Sequence, residues 1–498
     1  MNHLIIAPIV LPAVLAGVIV LTARHSLATQ RLIGAVGIVA LIGLAAVLLL
    51  QASTTPPQAY FLGNWPAPFG IVLILDRLSA LMLALTAGLS APIFAYAIAT
   101  NCDTRGQHFH TLFLFQLMGL NGAFLTGDAF NLFVFFEVLL IASYGLMVHG
   151  GGANRLRAGV QYVAFNLVGS TLFLFGLATI YSVTGTLNMA DLAVKIAALP
   201  AGDAAVIRVA AVMLLLVFTI KGALVPLHFW LPGTYANAPG AVAALFTVMT
   251  KVGAYAVIRF GTLIFGAQAT AGLWQSLLIP MAMATLALGA IGVLGSQSLT
   301  RVVAFAGIGS MGVVFLSIAA GTPQATSAAL YYMLHSTFAI AALFLLADLI
   351  AARRGGDDLR APAKPMAQSG LIAALFMTAA IAMAGMPPLS GFVGKLLVMD
   401  ALRADAAWNW SAILLASLAT ILGFARTGSQ VFWKPHAKGP APVGGKIPIA
   451  VAPIVMLLAA LTALTLLAGP ITDWLTITAQ SLHAPAPYIA AHALPEAP

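Results

Sequence analysis

Charge is nearly absent from this chain of 498 residues: Lys, Arg, Asp and Glu together make up 7%, against 61% hydrophobic residues. A soluble domain carries about 25% charged residues, so this composition excludes a large one. Cysteine occurs once, as Cys102, which excludes an intramolecular disulfide framework and any cysteine-ligated cluster or zinc site. Cys102 sits beside Asp103 in a loop and is expected to be an inert thiol. Glutamate occurs twice, as Glu137 and Glu496. A basic amino-terminal region is lacking too, since Met1-Asn2-His3-Leu4 carries no Lys or Arg. The first apolar run is therefore expected to be a retained span, not a cleaved signal. There is no P-loop, no nucleophile elbow and no haem-ligating pair, and neither His228 nor His335 has a second His or carboxylate at ligand spacing. The expectation is charge movement without covalent chemistry, cofactor or metal.

Long apolar runs are plentiful. Runs of about 20 residues recur from end to end, and the mean hydropathy is +1.03. Lipid cannot satisfy backbone polar groups, and the alternation of barrel strands is absent, so each run needs a helix. The fold class is an all-α integral membrane protein with about 14 transmembrane helices. The spans run roughly 4–22, 32–50, 71–99, 109–127, 129–148, 159–183, 205–231, 240–264, 273–294, 301–320, 325–350, 368–402, 408–433 and 447–470.

The net charge of +9 is explained by alternate loops, not by nucleic acid. One set holds Arg24, Arg31, Arg105, Arg155, Arg157, Arg301, Arg353, Arg354, Arg360, Lys364, Arg426, Lys434, Lys438 and Lys446. The other holds only Arg77, Lys195, Arg208, Arg259 and Arg403. Cytoplasmic loops retain Lys and Arg, so the first set is expected inside a bacterial inner membrane, with both termini outside. His108 and His110, in one of these inner loops, are expected to be solvated.

Two spans are interrupted. The seventh reads Phe218-Thr219-Ile220-Lys221-Gly222-Ala223-Leu224-Val225-Pro226, and the twelfth reads Gly385-Met386-Pro387-Pro388-Leu389-Ser390-Gly391-Phe392-Val393-Gly394-Lys395. Proline removes a helix donor and clashes with the preceding turn. Paired interruptions in the two halves of a transporter mark its ion pathway. Lys221 and Lys395 lie about five spans apart, an odd number, so a second copy of the unit would be inverted in the membrane. The organisation expected is a flanking segment 1–100 (helices 1–3), inverted repeats 105–264 (helices 4–8) and 273–433 (helices 9–13), helix 14 at 447–470 and a tail 471–498. The alternative is two unrelated proline kinks.

Glu137 lies about eight residues, or roughly 12 Å, into the fifth span. An unpaired carboxylate there costs about 2.5–3.5 kcal/mol, so it is protonated, paired or wet. Lys221, Lys251 and Lys395 share that burial, where lysine is readily brought within reach of a proton exchange near neutral pH. His335, about ten residues into the eleventh span, suits either a proton relay or a hydrogen-bonded structural role. His228, beyond the broken part of the seventh span, is equally open. Gly307-Ile308-Gly309-Ser310-Met311-Gly312 fits a dinucleotide fingerprint, but it follows no strand and is better read as close helix packing by small residues.

Phe130-Asn131-Leu132-Phe133-Val134-Phe135-Phe136-Glu137 resembles the fifth-helix motif of the proton-translocating membrane subunits shared by respiratory complex I and Mrp-type antiporters. So do Lys221-Gly222-Ala223 with Pro226-Leu227-His228-Phe229-Trp230-Leu231-Pro232, and Pro387-Pro388-Leu389-Ser390-Gly391-Phe392. Ala158-Gly159-Val160-Gln161-Tyr162 and Gly185-Thr186-Leu187-Asn188-Met189-Ala190-Asp191-Leu192 look more like the D-type Mrp subunits. The resemblance implies 14 helices with two inverted repeats and a Glu137–Lys221 pair. It also implies a relay through Lys251, His335 and Lys395. It further implies partner subunits of A, B, C, E, F and G type, exchange of H⁺ for Na⁺ or K⁺, and a lipid surround. Some relatives carry an additional lysine after the eleventh-helix histidine. Here Ser336-Thr337-Phe338-Ala339-Ile340 follows, so the central link would rest on His335 and water. The chain is expected to lack the long lateral helix of the most distal complex I subunit. A proton-pumping subunit of a redox-driven complex (complex I or a membrane-bound hydrogenase) and a proton-conducting partner of a carbon-uptake system are the alternatives.

Overall fold

The computed structural model describes residues 2–492 apart from 66–67, 201–203, 267–269, 362–365 and 435–448. Lys364, Lys438, Lys446 and Glu496 thus lie outside the described residues. The chain begins with α1 (Ala7–Thr22) and α2 (Leu27–Thr54), a short hairpin of β1 (Gln58–Phe61) and β2 (Val72–Leu75), and α3 (Arg77–Ala99). Then follow α4 (Phe109–Leu125), α5 (Ala129–Met147), α6 (Ala153–Thr184), α7 (Met189–Ala197), α8 (Ala205–Gly222), α9 (Trp230–Asn237), α10 (Gly240–Leu245) and α11 (Thr247–Leu263). The second half comprises α12 (Leu273–Gly295), α13 (Leu299–Ala319), α14 (Pro323–Arg354), α15 (Ser369–Ala384), α16 (Ser390–Ala401) and α17 (Ala406–Gly428). The chain closes with α18 (Val451–Leu466), α19 (Ala468–His483) and α20 (Ala486–Ala491). Among the described residues ten helical stretches are long and apolar enough to cross a membrane, or eleven if α18 and α19 form one bent span, and α1, α4 and α15 are shorter apolar helices.

The third span starts later than hydropathy suggests. Val72-Leu73-Ile74-Leu75 pairs antiparallel with β1, and the helix begins only after Asp76, whose carboxylate accepts the Ser79 backbone N–H at 2.8 Å. Apolar content alone cannot tell a buried strand from the first turns of a helix. The tail expected from residue 471 is also different. After α18 the chain bends by 78° and continues as α19, burying Leu475, Ala479 and Leu482 against the bundle.

Burial is graded across the molecule. The α10–α11 stretch is wholly buried and α14 nearly so, whereas α2, α12 and α17 turn most of their apolar residues outward. This is the pattern of a bundle solvated by lipid, with its polar side chains gathered on the innermost helices. Glycines set the closest contacts. A Cβ on Gly119 would meet the Leu139 backbone nitrogen at 2.6 Å, and one on Gly122 would strike the Phe135 ring. At a spacing of 170 residues, a Cβ on Gly289 would meet the Gly309 backbone at 2.5 Å and one on Gly292 would strike the Phe305 ring. The glycine motif 307–312 is therefore a helix-packing surface within α13. The same spacing relates the isolated bridges Asp128–Asn188 and Ser298–Asp358, and relates α6 to α14 from end to end.

Arg259, expected in an outer loop, is instead buried inside α11. Its Nη1 lies 2.6 Å from Asp76 Oδ2 and its Nη2 2.9 Å from Oδ1. The Tyr255 and Tyr488 rings sit 5.5 and 5.0 Å from the guanidinium. This planar, bidentate pairing is the geometry in which a buried ion pair holds. Arg259→Gln strands the Asp76 carboxylate in the interior, at a cost of about 3–5 kcal/mol. The expected result is a lower melting midpoint of the solubilised protein and less of it in the membrane, with part of the loss recovered by adding Asp76→Asn.

Candidate functional site

Glu137 and Lys221 do not touch each other; each is held by α6. The Ser170 hydroxyl donates to Glu137 Oε1. Lys221 Nζ donates to Asn166 Oδ1 at 2.8 Å and lies 5.7 Å from the Phe136 ring centre. Asn166 and Ser170 are four residues apart, hence on one face of α6. Asn166 Nδ2 in turn donates to the Tyr162 carbonyl at 2.8 Å, which leaves Oδ1 as the atom facing the lysine. Sequence reasoning missed both residues, although a polar i, i+4 pair inside an apolar span is a readable signal.

Lys221 is the penultimate residue of α8, which ends on Ala223 in the left-handed region (φ 54°), an uncommon conformation for a residue other than glycine. The backbone groups freed by the interruption are met by side chains and backbone. Trp230 Nε1 donates to the Ile220 carbonyl at 3.0 Å, the Leu224 N–H donates to Thr219 at 3.0 Å, and Thr285 Oγ1 accepts the Val225 N–H at 2.9 Å. Pro226 follows a cis bond, as does Pro388 after Pro387 in the second interruption. His228 is half-buried against Phe229, and its Nδ1 has no partner among the described residues. It joins no cluster there.

Lys251 is fully buried in α11. Its ammonium reaches Thr250 Oγ1 at 3.5 Å, close to the limit of a hydrogen bond. It too stands near an interruption, because α10 and α11 are separated at Phe246, whose carbonyl accepts the Tyr235 hydroxyl at 2.7 Å. Gly253 brings α11 onto α8: a Cβ there would lie 2.5 Å from the Phe218 carbonyl oxygen and 2.6 Å from the Gly222 nitrogen. The helices of Lys221 and Lys251 therefore meet backbone to backbone.

His335 and Lys395 meet the second interruption. His335 Nδ1 lies 2.9 Å from Ser390 Oγ, and its Nε2 faces Gly391, where a Cβ would come within 2.8 Å. Lys395 Nζ donates to the Ala384 carbonyl at 2.8 Å and to Ser417 Oγ at 2.8 Å. Ala384 is the last residue of α15, so the ammonium caps the negative end of that half-helix. Gly385 (φ 79°) turns the chain there, and a Cβ on it would strike Lys395 Cδ at 2.6 Å. Small and hydroxyl residues around Lys395, among them Ser310, Tyr332 and Thr420, line a small cavity between α12, α13, α14 and α17.

The histidine loop needs one correction. His108 is exposed as expected, but His110 is buried, with Nε2 3.0 Å from Asp103 Oδ2. Arg31 Nε reaches the same oxygen at 2.7 Å. The acid that fixes His110 lies seven residues upstream, outside the window in which a loop histidine looks solvated. Cys102 is buried beside it, and burial, with the nearby Asp348 charge, pushes its thiol up to about 11, which keeps it unreactive at neutral pH.

Three lysines and a histidine lie buried in an apolar bundle, each beside an interrupted or irregular helix, and the chain is a polytopic membrane protein. The family described as "NADH:quinone oxidoreductase/Mrp antiporter, TM" matches residues 126–424, and the chain belongs to that family. It is 40% identical to the probable K(+)/H(+) antiporter D subunit of Rhizobium meliloti, over 97% of this chain and 96% of that protein. It is 37% identical to the Na(+)/H(+) antiporter D subunit of Alkalihalophilus pseudofirmus, over 98% and 99%. Among solved structures, a chain of the Mrp complex from Dietzia sp. superposes with a TM-score of 0.89 at 28% identity, covering 99% of this chain and 100% of that one.

The α8–α11 contact leaves no room for a side chain on Gly253. Gly253→Ala forces the two backbones apart and displaces Lys221 from Lys251. Transport in membrane vesicles should fall sharply, whereas Gly43→Ala, where a Cβ meets nothing within 4 Å, should leave it unchanged.

Proposed function

We propose that this chain is the D-type, proton-translocating subunit of an Mrp-type multisubunit Na⁺(K⁺)/H⁺ antiporter in a bacterial plasma membrane. Subunits of A, B, C, E, F and G type surround it, and neither cofactor nor nucleic acid enters the scheme. What carries the reading is the set of buried lysines at interrupted helices, in a chain that aligns almost end to end with antiporter D subunits. A proton-pumping subunit of a redox-driven complex would use similar residues, but the full-length identity to antiporter subunits favours the antiporter.

The architecture proposed has fourteen spans. They are the ten long stretches, the bent α18–α19, and the shorter helices α1, α4 and α15. Residues 1–100 flank two inverted repeats, 105–264 and 273–433, and α18 follows. The 170-residue spacing of the glycine contacts, of the isolated bridges and of α6 and α14 supports the repeat. The odd number of spans per repeat supports its inversion. The loops rich in Lys and Arg face the cytoplasm, which puts both termini outside. A cysteine at Arg354, in a Cys102→Ser background, should be unreachable by impermeant thiol reagents in intact cells. Labelling from the periplasm would overturn this orientation.

In the relay a proton enters near the break after α8 and is held on Lys221. Closing Glu137 onto Lys221 favours the charged lysine, and opening the pair disfavours it and sends the proton toward Lys251. Transfer continues by His335 to Lys395 and leaves through the second repeat, while the complex exchanges it for Na⁺ or K⁺. Glu137→Gln preserves size and hydrogen bonding but removes the charge. Complex assembly should be normal and antiport should fall by about tenfold or more, the effect of roughly 1.4 kcal/mol on a barrier. Lys221→Ala should behave alike. Wild-type antiport by Glu137→Gln across pH 6–9 would sink the relay.

A further inference from the structure

The Lys221 ammonium rests on a neutral amide although a carboxylate is held from the same face of α6. Asn166 is 1% exposed and Lys221 6%, so neither is reached by bulk solvent. The amide cannot rotate freely, since its Nδ2 is fixed to the Tyr162 carbonyl at 2.8 Å. The α6–α8 contact that carries this arrangement is close: a Cβ on Gly176 would lie 2.8 Å from Leu214 Cδ2, and one on Gly169 3.6 Å from Ile220 Cγ2. One turn further along α6, Ser170 donates to Glu137 and occupies an acceptor position that the lysine would otherwise take. Side chains four apart on a helix are about 5–6 Å apart at Cβ. That distance is within the swing of a four-carbon stem with freely rotating donors.

We infer that Asn166 is a second seat for the Lys221 ammonium, and that Asn166 and Ser170 are positioning residues which set when Lys221 leaves Glu137. This rests on the relay reading above. The arrangement is then the open form of the pair. The lysine is parked on a dipole of fixed orientation while the hydroxyl shields the carboxylate. In the closed form Lys221 displaces Ser170 from Glu137. An ammonium bonded to a carboxylate is held more strongly than one bonded to a neutral carbonyl. Movement from Glu137 to Asn166 therefore lowers the hold on the proton without leaving the amine unpaired. The ionisable groups on the elements packed around Lys221 are Glu137 and Tyr144 on α5, Arg155, Arg157, Tyr162 and Tyr181 on α6, and Lys251, Tyr255 and Arg259 on α11. Of these only Glu137 is a carboxylic acid, and a charged Lys251 opposes a charged Lys221.

Asn166→Leu removes the second seat and leaves Glu137 as the acceptor, so the closed pair is favoured and Lys221 keeps its proton to higher pH. Ser170→Ala unshields Glu137 and acts in the same direction. Antiport by the intact complex is measured in everted vesicles from pH 6 to 9, with complex levels checked by blotting. Each variant should move the midpoint of the pH profile upward by about one unit, a tenfold change in proton affinity. A wild-type or acid-shifted midpoint in both variants, with Glu137→Gln inactive, would overturn the second seat and leave Asn166 a structural residue. If Asn166→Leu fails to assemble, Ser170→Ala decides by the same criterion. Wild-type transport by Glu137→Gln in the same assay would instead remove the relay itself, so the two failures are told apart.

Discussion

Lipid cannot complete a broken hydrogen bond, so each freed carbonyl or ammonium inside a bilayer must be met by the chain or by water that the chain encloses. The interrupted helices show what this demands. The Ile220 carbonyl is met by Trp230, the Phe246 carbonyl by Tyr235, and the Ala384 carbonyl by Lys395. In the last case the group that heals the break is one of the lysines of the proposed relay. At the end of α15, interruption and charge are therefore one feature. A half-helix end supplies an oriented dipole, and a lysine placed against it gains a partner without a second buried charge.

The same constraint explains the glycines. Helices in lipid associate by close packing, not by apolar burial, and close approach requires small residues. Gly119 and Gly122 let α5 lie on α4 as Gly289 and Gly292 let α13 lie on α12, and Gly253 puts α11 on the backbone of α8. These contacts fix the positions of α5, α8 and α11 to within less than a methyl group. A pair that opens and closes by side-chain rotation needs such a frame, because a shift of an ångström or so would decide which acceptor the lysine meets.

Much of this is legible in the sequence, for identifiable reasons. Charge is so rare that each buried Lys and Glu stands out, and the prolines after Lys221 and before Lys395 mark the interruptions. The 170-residue spacing is present in the residue numbers but carries no sequence identity strong enough to be seen without the contacts. Val72–Leu75 is hidden because an apolar strand and an apolar helix turn have the same composition. Arg259 looks like a loop residue because its partner, Asp76, is 183 positions away. His110 looks solvated for a similar reason. Asn166 and Ser170 are easily overlooked because neither carries charge, although they hold the two side chains that do.

The two halves of the proposed repeat treat their lysines differently, and Lys221 and Lys395 lie 174 residues apart, four positions out of the 170-residue register. In the proposed repeat Glu137 would correspond to Gly307, 170 residues on, where there is no carboxylate. Asn166 would correspond to Ser336, which is adjacent to His335 and fully buried. Lys395 accordingly leans on a helix-end carbonyl and on Ser417, both neutral. A lysine against neutral acceptors binds its proton less firmly than one that can reach a carboxylate. In the proposed relay the first half is therefore where a proton is retained until the Glu137 pair opens. The second half, whose lysine has no anion to close upon, passes it on.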